Sequence, residues 1–364
     1  AKGENVALFS DNSAYWVLAE YSVLRQGGVT VPLYATLGRA AIAYILCQTQ
    51  CRTCVVSPPL LKELLAAHAG AADGTLGDSG DERSALKHVV LMPRTPGREQ
   101  AQPAISAEQR ARAEALGLCV HEWDEVAEAG ARAPCAATPS GPDELHSIMY
   151  TSGTLGKPKG VMLHNRAWAV TSDKVPAHPC FGAGGYNEEV HFSYLPLAHV
   201  YERSFMHVML RLGASVGFYS GSPARLMDDM QALRPTFVIG VPRVWKRVHD
   251  KVMEAVNSAP FYKRWVFSAA YSAPAGLTSR LGMDSAVFGA VRTKLGGRVH
   301  WLGSASAPMP AELAAWLGRV FGVDVVMMYG LTESNGGVTA SLYCHPIHHL
   351  QPDALPLGPL QLKL

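Results

Sequence analysis

Eleven consecutive residues, Tyr150-Thr-Ser-Gly-Thr-Leu-Gly-Lys-Pro-Lys-Gly160, gather most of the groups in this chain that could hold phosphate. They contain three glycines, three aliphatic hydroxyls and two lysines, between an apolar run at 147–150 and another at 161–163. Glycines let successive backbone N–H groups turn toward an anion, while hydroxyls and ammonium groups add donors and charge. The spacing is not that of a P-loop NTPase. Two residues separate Gly153 from Gly156-Lys157, and proline follows where Ser or Thr would bind magnesium. Two further clusters stand downstream. Gly303-Ser-Ala-Ser-Ala-Pro308 offers small residues beside which a flat ring could lie, and it reads equally as a plain turn. Tyr329-Gly-Leu-Thr-Glu333 supplies an aromatic face, a hydroxyl and a carboxylate within five residues, the chemistries of base stacking, phosphate contact and Mg²⁺ binding.

The elements that would position these groups alternate along the chain. Short apolar strands are expected at 5–9, 29–31, 54–57, 88–91, 190–195, 215–219, 236–239, 299–302 and 323–327, with helical patterns between most of them. Such alternation predicts an α/β fold of mainly parallel sheets flanked by helices. Asn12 and Ser13 read as the start of a helix with Ala14, Val17, Leu18, Tyr21 and Leu24 on its apolar face, stopped by Gly27-Gly28. In this reading the three clusters follow strands ending at Tyr150, Leu302 and near Met327, the ends where open parallel sheets collect ligands. Residues 70–84, rich in Gly, Asp and Ser, and 93–142, mixing Pro, Ala and charge, read as surface insertions or a subdomain junction.

Composition narrows the class. The 364 residues are 48% hydrophobic and 17% charged with a net charge of +2, which suits a large buried core and argues against nucleic acid as partner. No apolar run is long enough for a transmembrane helix, and the first residues lack a signal-peptide pattern. Of seven cysteines, Cys47, Cys51 and Cys54 cluster without a fourth ligand at zinc spacing, so they read as reduced cysteines in and beside a strand. His345, His348 and His349 fall in a Pro-rich stretch that reads as a poorly packed tail.

Taken together and in this order, the motifs resemble those of the adenylate-forming enzymes. Tyr194-Leu-Pro-Leu-Ala-His-Val-Tyr-Glu-Arg203 and Leu233-Arg-Pro-Thr-Phe-Val-Ile-Gly-Val-Pro-Arg-Val-Trp245 are similar in particular to the long-chain fatty acyl-CoA synthetases, as is the opening with Asn12-Ser13 and Gly27-Gly28-Val29. The resemblance runs from about Val6 to about Thr339. It implies ATP and Mg²⁺ as cofactors, coenzyme A as co-substrate and a long-chain fatty acid as substrate.

It also implies roles residue by residue. Thr151, Ser152, Gly153, Thr154, Gly156, Lys157, Lys159 and Gly160 would cradle the β- and γ-phosphates. Glu333 would ligate Mg²⁺ with Thr151 nearby, and Thr332 would bond the α-phosphate. Gly303, Ser304, Tyr329 and Gly330 would line the adenine pocket, and His199 would lie beside the substrate carboxylate. His199, Thr332, Glu333 and Lys159 form the implied catalytic set. Trp245 matches an aromatic residue that gates the acyl tunnel in some relatives. Read without the resemblance, His199 is a structural histidine and Trp245 is core.

The resemblance has an edge. The family continues past the Thr-Glu motif with a ribose-binding aspartate, an arginine and a small C-terminal domain bearing a catalytic lysine. Residues 341–364 read instead as a non-family Pro/Leu/His-rich tail. The chain is therefore expected to be the large N-terminal domain, 1–340, with the small C-terminal domain missing and adenylation impaired. Competing readings are a non-catalytic ATP- or fatty-acid-binding fragment, and a synthetase that hands its acyl group to a carrier protein. The resemblance implies an intracellular enzyme, cytosolic or peripheral on an organelle membrane. Fatty substrates partition into bilayers, so peripheral membrane contact is expected, yet no amphipathic basic helix stands out to make it.

Overall fold

The computed structural model describes residues 2–76, 83–95, 105–151, 157–177 and 188–343. The chain divides into two compact units, Ala1–Val170 with Tyr194–Arg203, and Thr171–Ser193 with Ser204–Leu364. Each unit is built on its own sheet.

In the first unit the elements run β1 (Asn5–Phe9), α1 (Ala14–Arg25), β2 (Val29–Leu33), α2 (Arg39–Thr49), β3 (Thr53–Val56), α3 (Leu61–Asp73), β4 (His88–Leu91), α4 (Ala107–Ala115), β5 (Cys119–Glu122), α5 (Trp123–Arg132), β6 (Leu145–Thr151) and β7 (Lys159–His164), before the chain enters α6 (Asn165–Lys174). The sheet order is β5-β4-β3-β1-β2-β6-β7, parallel throughout except for the antiparallel pair β6–β7. Central strands of such a sheet are buried on both faces, which is why β2 reads Val-Thr-Val-Pro-Leu with every residue buried. Ile42, Ile45 and Leu46 of α2 and Leu61, Leu64 and Leu65 of α3 join Phe9, Val31 and Val56 in one core. Cys51 and Cys54 lie within it. Burial pushes the Cys51 thiol up to about 12 and the Cys54 thiol well above its usual range, so both are held as protonated thiols.

The second unit continues with β8 (Val190–Ser193), α7 (Val200–Leu212, whose first residues belong to the first unit), β9 (Ser215–Phe218), α8 (Leu226–Leu233), β10 (Phe237–Gly240), α9 (Pro242–Asn257), α10 (Phe261–Ser272), α11 (Ala275–Arg280), α12 (Met283–Arg292), β11 (Trp301–Ser304), α13 (Ala311–Phe321), β12 (Asp324–Leu331) and β13 (Gly336–Tyr343). Its order is β13-β12-β11-β10-β8-β9, again parallel apart from one antiparallel pair, β12–β13. Aromatic rings fill its centre: Phe237 and Trp301 stack with centroids 4.7 Å apart, and His191 stacks on Phe237 at 5.3 Å.

Three expectations need correction. Residues 93–142 are more than a surface insertion, because 119–122 form the edge strand β5, paired in parallel with β4 and flanked by α4 and α5. Likewise 70–73 belong to α3. Second, β11 and β12 reach further than expected, to Ser304 and Leu331, and β13 pairs beyond them. Third, α1 turns the opposite face inward. Its buried residues are Trp16, Ala19 and Glu20, while Leu18 is 52% and Tyr21 40% exposed.

The reason α1 rotates is a charge. Arg203 and Glu20 are both fully buried and ion-paired, with Arg203 Nε donating to Glu20 Oε1 at 2.6 Å and Nη2 to Thr30 Oγ1 at 2.6 Å. The guanidinium also lies 5.4 Å from the Trp16 ring and 5.0 Å from the Trp168 ring. One cation thus ties α1, β2, α6 and the start of α7 together. The other end of segment 194–203 is held by Asn12, whose Nδ2 donates to Leu195 O at 2.6 Å and whose Oδ1 accepts from Leu197 N at 2.9 Å. Ser13, next in sequence, caps α1 by accepting from Trp16 N at 3.2 Å, as its type predicts.

Replacing Asn12 with Ala removes both clamps and strands the buried N–H of Leu197. Urea unfolding of Asn12→Ala is expected to show a loss of about 1–3 kcal/mol. Asn12→Asp keeps the acceptor and should lose less.

Candidate active site

The lysine-bearing motif sits at the tip of the β6–β7 hairpin. Thr151 pairs with Lys159 and Tyr150 with Gly160. Ser152, Gly153, Thr154 and Gly156 lie outside the described residues. Lys157 and Lys159 are exposed and Thr151 is half-buried. The hairpin base is firm. Tyr150 is buried and donates its hydroxyl to Gln48 Oε1 at 2.5 Å, and burial raises the phenol above its usual range, keeping it neutral. Gly160 admits that ring: a methyl group there would lie 3.1 Å from Tyr150 Cζ and 2.9 Å from Ile148 Cγ2. Beneath the hairpin, Met149 and Leu163 pack with Trp168 and Val200.

Val200 begins α7, and His199 stands just before it. The His199 N–H donates to Pro196 O at 2.9 Å, and His199 O accepts from Arg203 N at 3.1 Å, so the anchored arginine also fixes this turn. Burial lowers the His199 pKa, opposed by the nearby Glu202 carboxylate. Its Nδ1 accepts from Tyr201 N at 3.1 Å, which leaves the single proton of a neutral ring on Nε2. The ring meets Tyr34 edge-on at 6.4 Å, a phenol that burial pushes up to about 12. His199 is therefore a neutral, oriented N–H donor at neutral pH. The arrangement suits holding a carboxylate or phosphate oxygen in place; it does not suit supplying a positive charge.

The second unit carries the remaining candidates. Gly303 and Ser304 are residues of β11 and are buried; the turn begins at Ala305 and includes Ser306 at φ 71°, an unusual conformation for a residue with a side chain. Space above Gly303 is already taken, because a methyl there would meet Met328 Cε at 2.7 Å and Trp301 Cζ3 at 3.0 Å. Met328 is therefore what covers Gly303. Trp245 is fully buried and donates Nε1–H to Gly303 O at 3.1 Å, so it is placed as core that supports β11.

Tyr329 and Gly330 lie inside β12, and a bulge separates them. Tyr329 is 58% exposed, an open aromatic face at the end of the sheet. Gly330 is the tightest backbone approach in the hairpin: a methyl there would lie 1.9 Å from Gly336 O. Thr332 and Glu333 occupy the turn to β13, with Thr332 half-buried and Glu333 exposed. Ser334 and Asn335, which the sequence reading does not single out, shape that turn. Ser334 Oγ accepts from Leu331 N at 3.1 Å, and Asn335, at φ 54°, donates Nδ2–H to Thr171 Oγ1 at 3.0 Å. The Asn335-Gly336 pair is the local hairpin signal that announces them. Each unit thus presents its motif on a braced antiparallel hairpin, and His199 on a braced helix start. His345, His348 and His349 lie outside the described residues.

Comparison with known proteins follows the same outline. The family described as AMP-binding enzyme matches residues 1–358. A fatty acyl-CoA synthetase A of Dictyostelium discoideum is 32% identical over all of this chain and 51% of its own length. A long-chain-fatty-acid–CoA ligase 6 of Rattus norvegicus is 32% identical over 92% of this chain and 46% of its own. Among solved structures, the adenylation–carrier didomain of a carboxylic acid reductase from Segniliparus rugosus, in complex with AMP, shares the fold with a TM-score of 0.68 at 23% identity, covering 91% of this chain and 43% of that one. The chain spans about half the length of the curated relatives it matches.

Adding a single methyl at Gly330 forces the β12–β13 hairpin open. Gly330→Ala is expected to lower stability by about 1–3 kcal/mol in chemical unfolding and to expose 324–343 to limited proteolysis. Gly337→Ala, where a methyl meets nothing within 4 Å, is the control.

Proposed function

The chain belongs to the AMP-binding enzyme family, and from that membership we propose that it is the nucleotide- and fatty-acid-handling part of a long-chain fatty acid–CoA ligase. The reaction joins a fatty carboxylate to ATP. The carboxylate oxygen attacks the α-phosphorus, the bond to the β-phosphate oxygen breaks, and pyrophosphate leaves. The acyl-adenylate then yields its acyl group to the thiolate of coenzyme A, releasing AMP.

The observation that carries this reading is the pair of motif hairpins, one ending in exposed lysines and the other in an exposed carboxylate beside a hydroxyl. Lys157 and Lys159, with Thr151 and the loop between, would hold the β- and γ-phosphates and draw off the charge that develops on pyrophosphate. Thr332 would bond the α-phosphate, and the open ring of Tyr329 would face the base. Neutral His199 would direct its Nε2–H at the substrate carboxylate without trapping it as an ion pair, leaving the oxygen nucleophilic. Glu333 suits a hard cation, since among the described residues it has no ion-pair partner and its carboxylate is exposed. Held there, Mg²⁺ would supply neutralisation of the phosphate charge.

Transfer of apolar chain from water contributes about 0.8 kcal/mol per CH₂, so acyl length would govern affinity. Peripheral membrane contact belongs to the reading, because such substrates reside in bilayers. Among the described residues no helix is long and apolar enough to cross a membrane.

The test is pyrophosphate release from ATP with palmitate and Mg²⁺, using this chain and the same chain extended by a family C-terminal domain. Palmitate-dependent release is expected in the extended form, falling about 10²-fold in Glu333→Gln. Bound ATP with no palmitate-dependent release in either form would replace the ligase with a nucleotide-binding module.

A further inference from the structure

Helix α10 opens with Phe261-Tyr-Lys-Arg-Trp-Val266, and all six of these residues are exposed. Phe261 is 77%, Tyr262 62% and Trp265 63% exposed, and Leu277 and Leu281, just beyond α10, are also open to water. Only Phe267 and Ala270 of the helix are buried. At 100° per residue Phe261, Tyr262, Trp265 and Val266 fall within about 140° of one another, turned away from buried Phe267 and Ala270, so the start of α10 is a tip with one outward apolar side flanked by Lys263 and Arg264. Beside it lies a groove of about 430 Å³, lined by His249, Met253, Phe261, Trp265, Phe267 and Trp316 among others.

The charge around the tip is one-sided. Between Glu254 and Asp284 the sequence has no carboxylate side chain, while Lys263, Arg264 and Arg280 fall within it. Asp284 is buried and paired with Arg319 at 2.8 Å, and Asp250 on the neighbouring helix pairs with Lys246 and His249. Among the described residues Lys263 and Arg264 have no ion-pair partner.

These features select the occupant. An outward apolar side rich in aromatic rings, flanked by cationic side chains, is the pattern of a helix lying in a bilayer interface. Aromatic rings settle at the headgroup level, and long cationic side chains reach from the apolar layer to the phosphates. Two cationic side chains without ion-pair partners, in a stretch of α10 that carries no carboxylate, complement anionic lipid. We propose that the first half of α10, with Lys263 and Arg264 set among Phe261, Tyr262 and Trp265, is a docking tip that enters the interfacial layer of an anionic phospholipid bilayer. This deepens the peripheral membrane contact of the proposed function and rests on that reading for its partner class.

The experiment is sedimentation of the full chain with vesicles of phosphatidylcholine alone or mixed with phosphatidylserine, with Mg-ATP binding and the thermal midpoint measured on each variant. The chain should bind the mixed vesicles and release with salt. Phe261→Ser with Trp265→Ser should weaken that binding by about tenfold or more. Lys263→Ser with Arg264→Ser should reduce mixed-vesicle binding to the phosphatidylcholine level, and Arg132→Ser on α5 should change nothing. Mg-ATP binding should persist in all of them, so loss of docking is distinguishable from loss of the adenylation reading. The proposal is overturned if the wild-type chain ignores both vesicles, or if the tip variants bind as wild type. It is equally overturned if light scattering reveals a dimer that the tip variants dissolve, which would make a second copy the occupant.

Discussion

A guanidinium cannot shed its charge, so Arg203 at zero exposure sets a condition that its surroundings must meet. Glu20 meets it with a carboxylate, Thr30 with a hydroxyl, and Trp16 and Trp168 with ring faces. Those partners come from a helix, a central strand and a second helix of the first unit, so the placement of each is conditioned by one cation. The orientation of α1 follows, because Glu20 must point inward. So does the geometry of segment 194–203, fixed by Arg203 at one end and Asn12 at the other. His199 sits inside that bracket, where burial lowers its pKa and the N–H of Tyr201 occupies Nδ1, leaving the ring proton on Nε2.

The second unit is governed by close approach. Gly303 leaves room for Met328 on one side and receives the Trp245 indole N–H on its carbonyl. Gly330 lets β12 and β13 come together at a bulge that a methyl group would block. The exposed Tyr329 ring and the Thr332–Glu333 turn are presented by this crowding. Both units use the same device, an antiparallel hairpin added to a parallel sheet, to carry polar groups outward from a buried base. A sheet whose other strands are satisfied on both edges can end in such a hairpin and expose reactive side chains while its core stays intact.

Much of this architecture is legible in the residues. Strands such as 5–9 and 88–91 stand where their apolar pattern puts them, and the segment 147–150 that leads into the lysine-bearing motif lies in β6. What is not legible has a common cause: the deciding partner is remote. Glu20 meets Arg203 across 183 residues, and nothing near Glu20 announces that a charge will be buried there, so apolar periodicity selects the wrong face of α1. Asn12 meets Leu197 across 185 residues. The edge strand β5 is short and polar and escapes any apolar-run criterion. Trp245 and Trp265 are both aromatic residues in helices of the second unit; one is fully buried and the other mostly in water, a difference set by neighbours and invisible in the helices themselves. The turn at Ser334–Asn335 is different, since its Asn-Gly signal is local and the sequence reading simply passes over it.

If the buried cation organises the first unit, the measurement to make is a double-mutant cycle on Arg203 and Glu20, with Arg203→Met, Glu20→Met and the double variant unfolded in urea. Each single change leaves one charge buried alone and should cost about 3–5 kcal/mol, while the double variant should be less destabilised than the sum of the two, because neither charge remains. Single costs near zero, or two costs that simply add, would contradict the account and move the organising constraint to the apolar core.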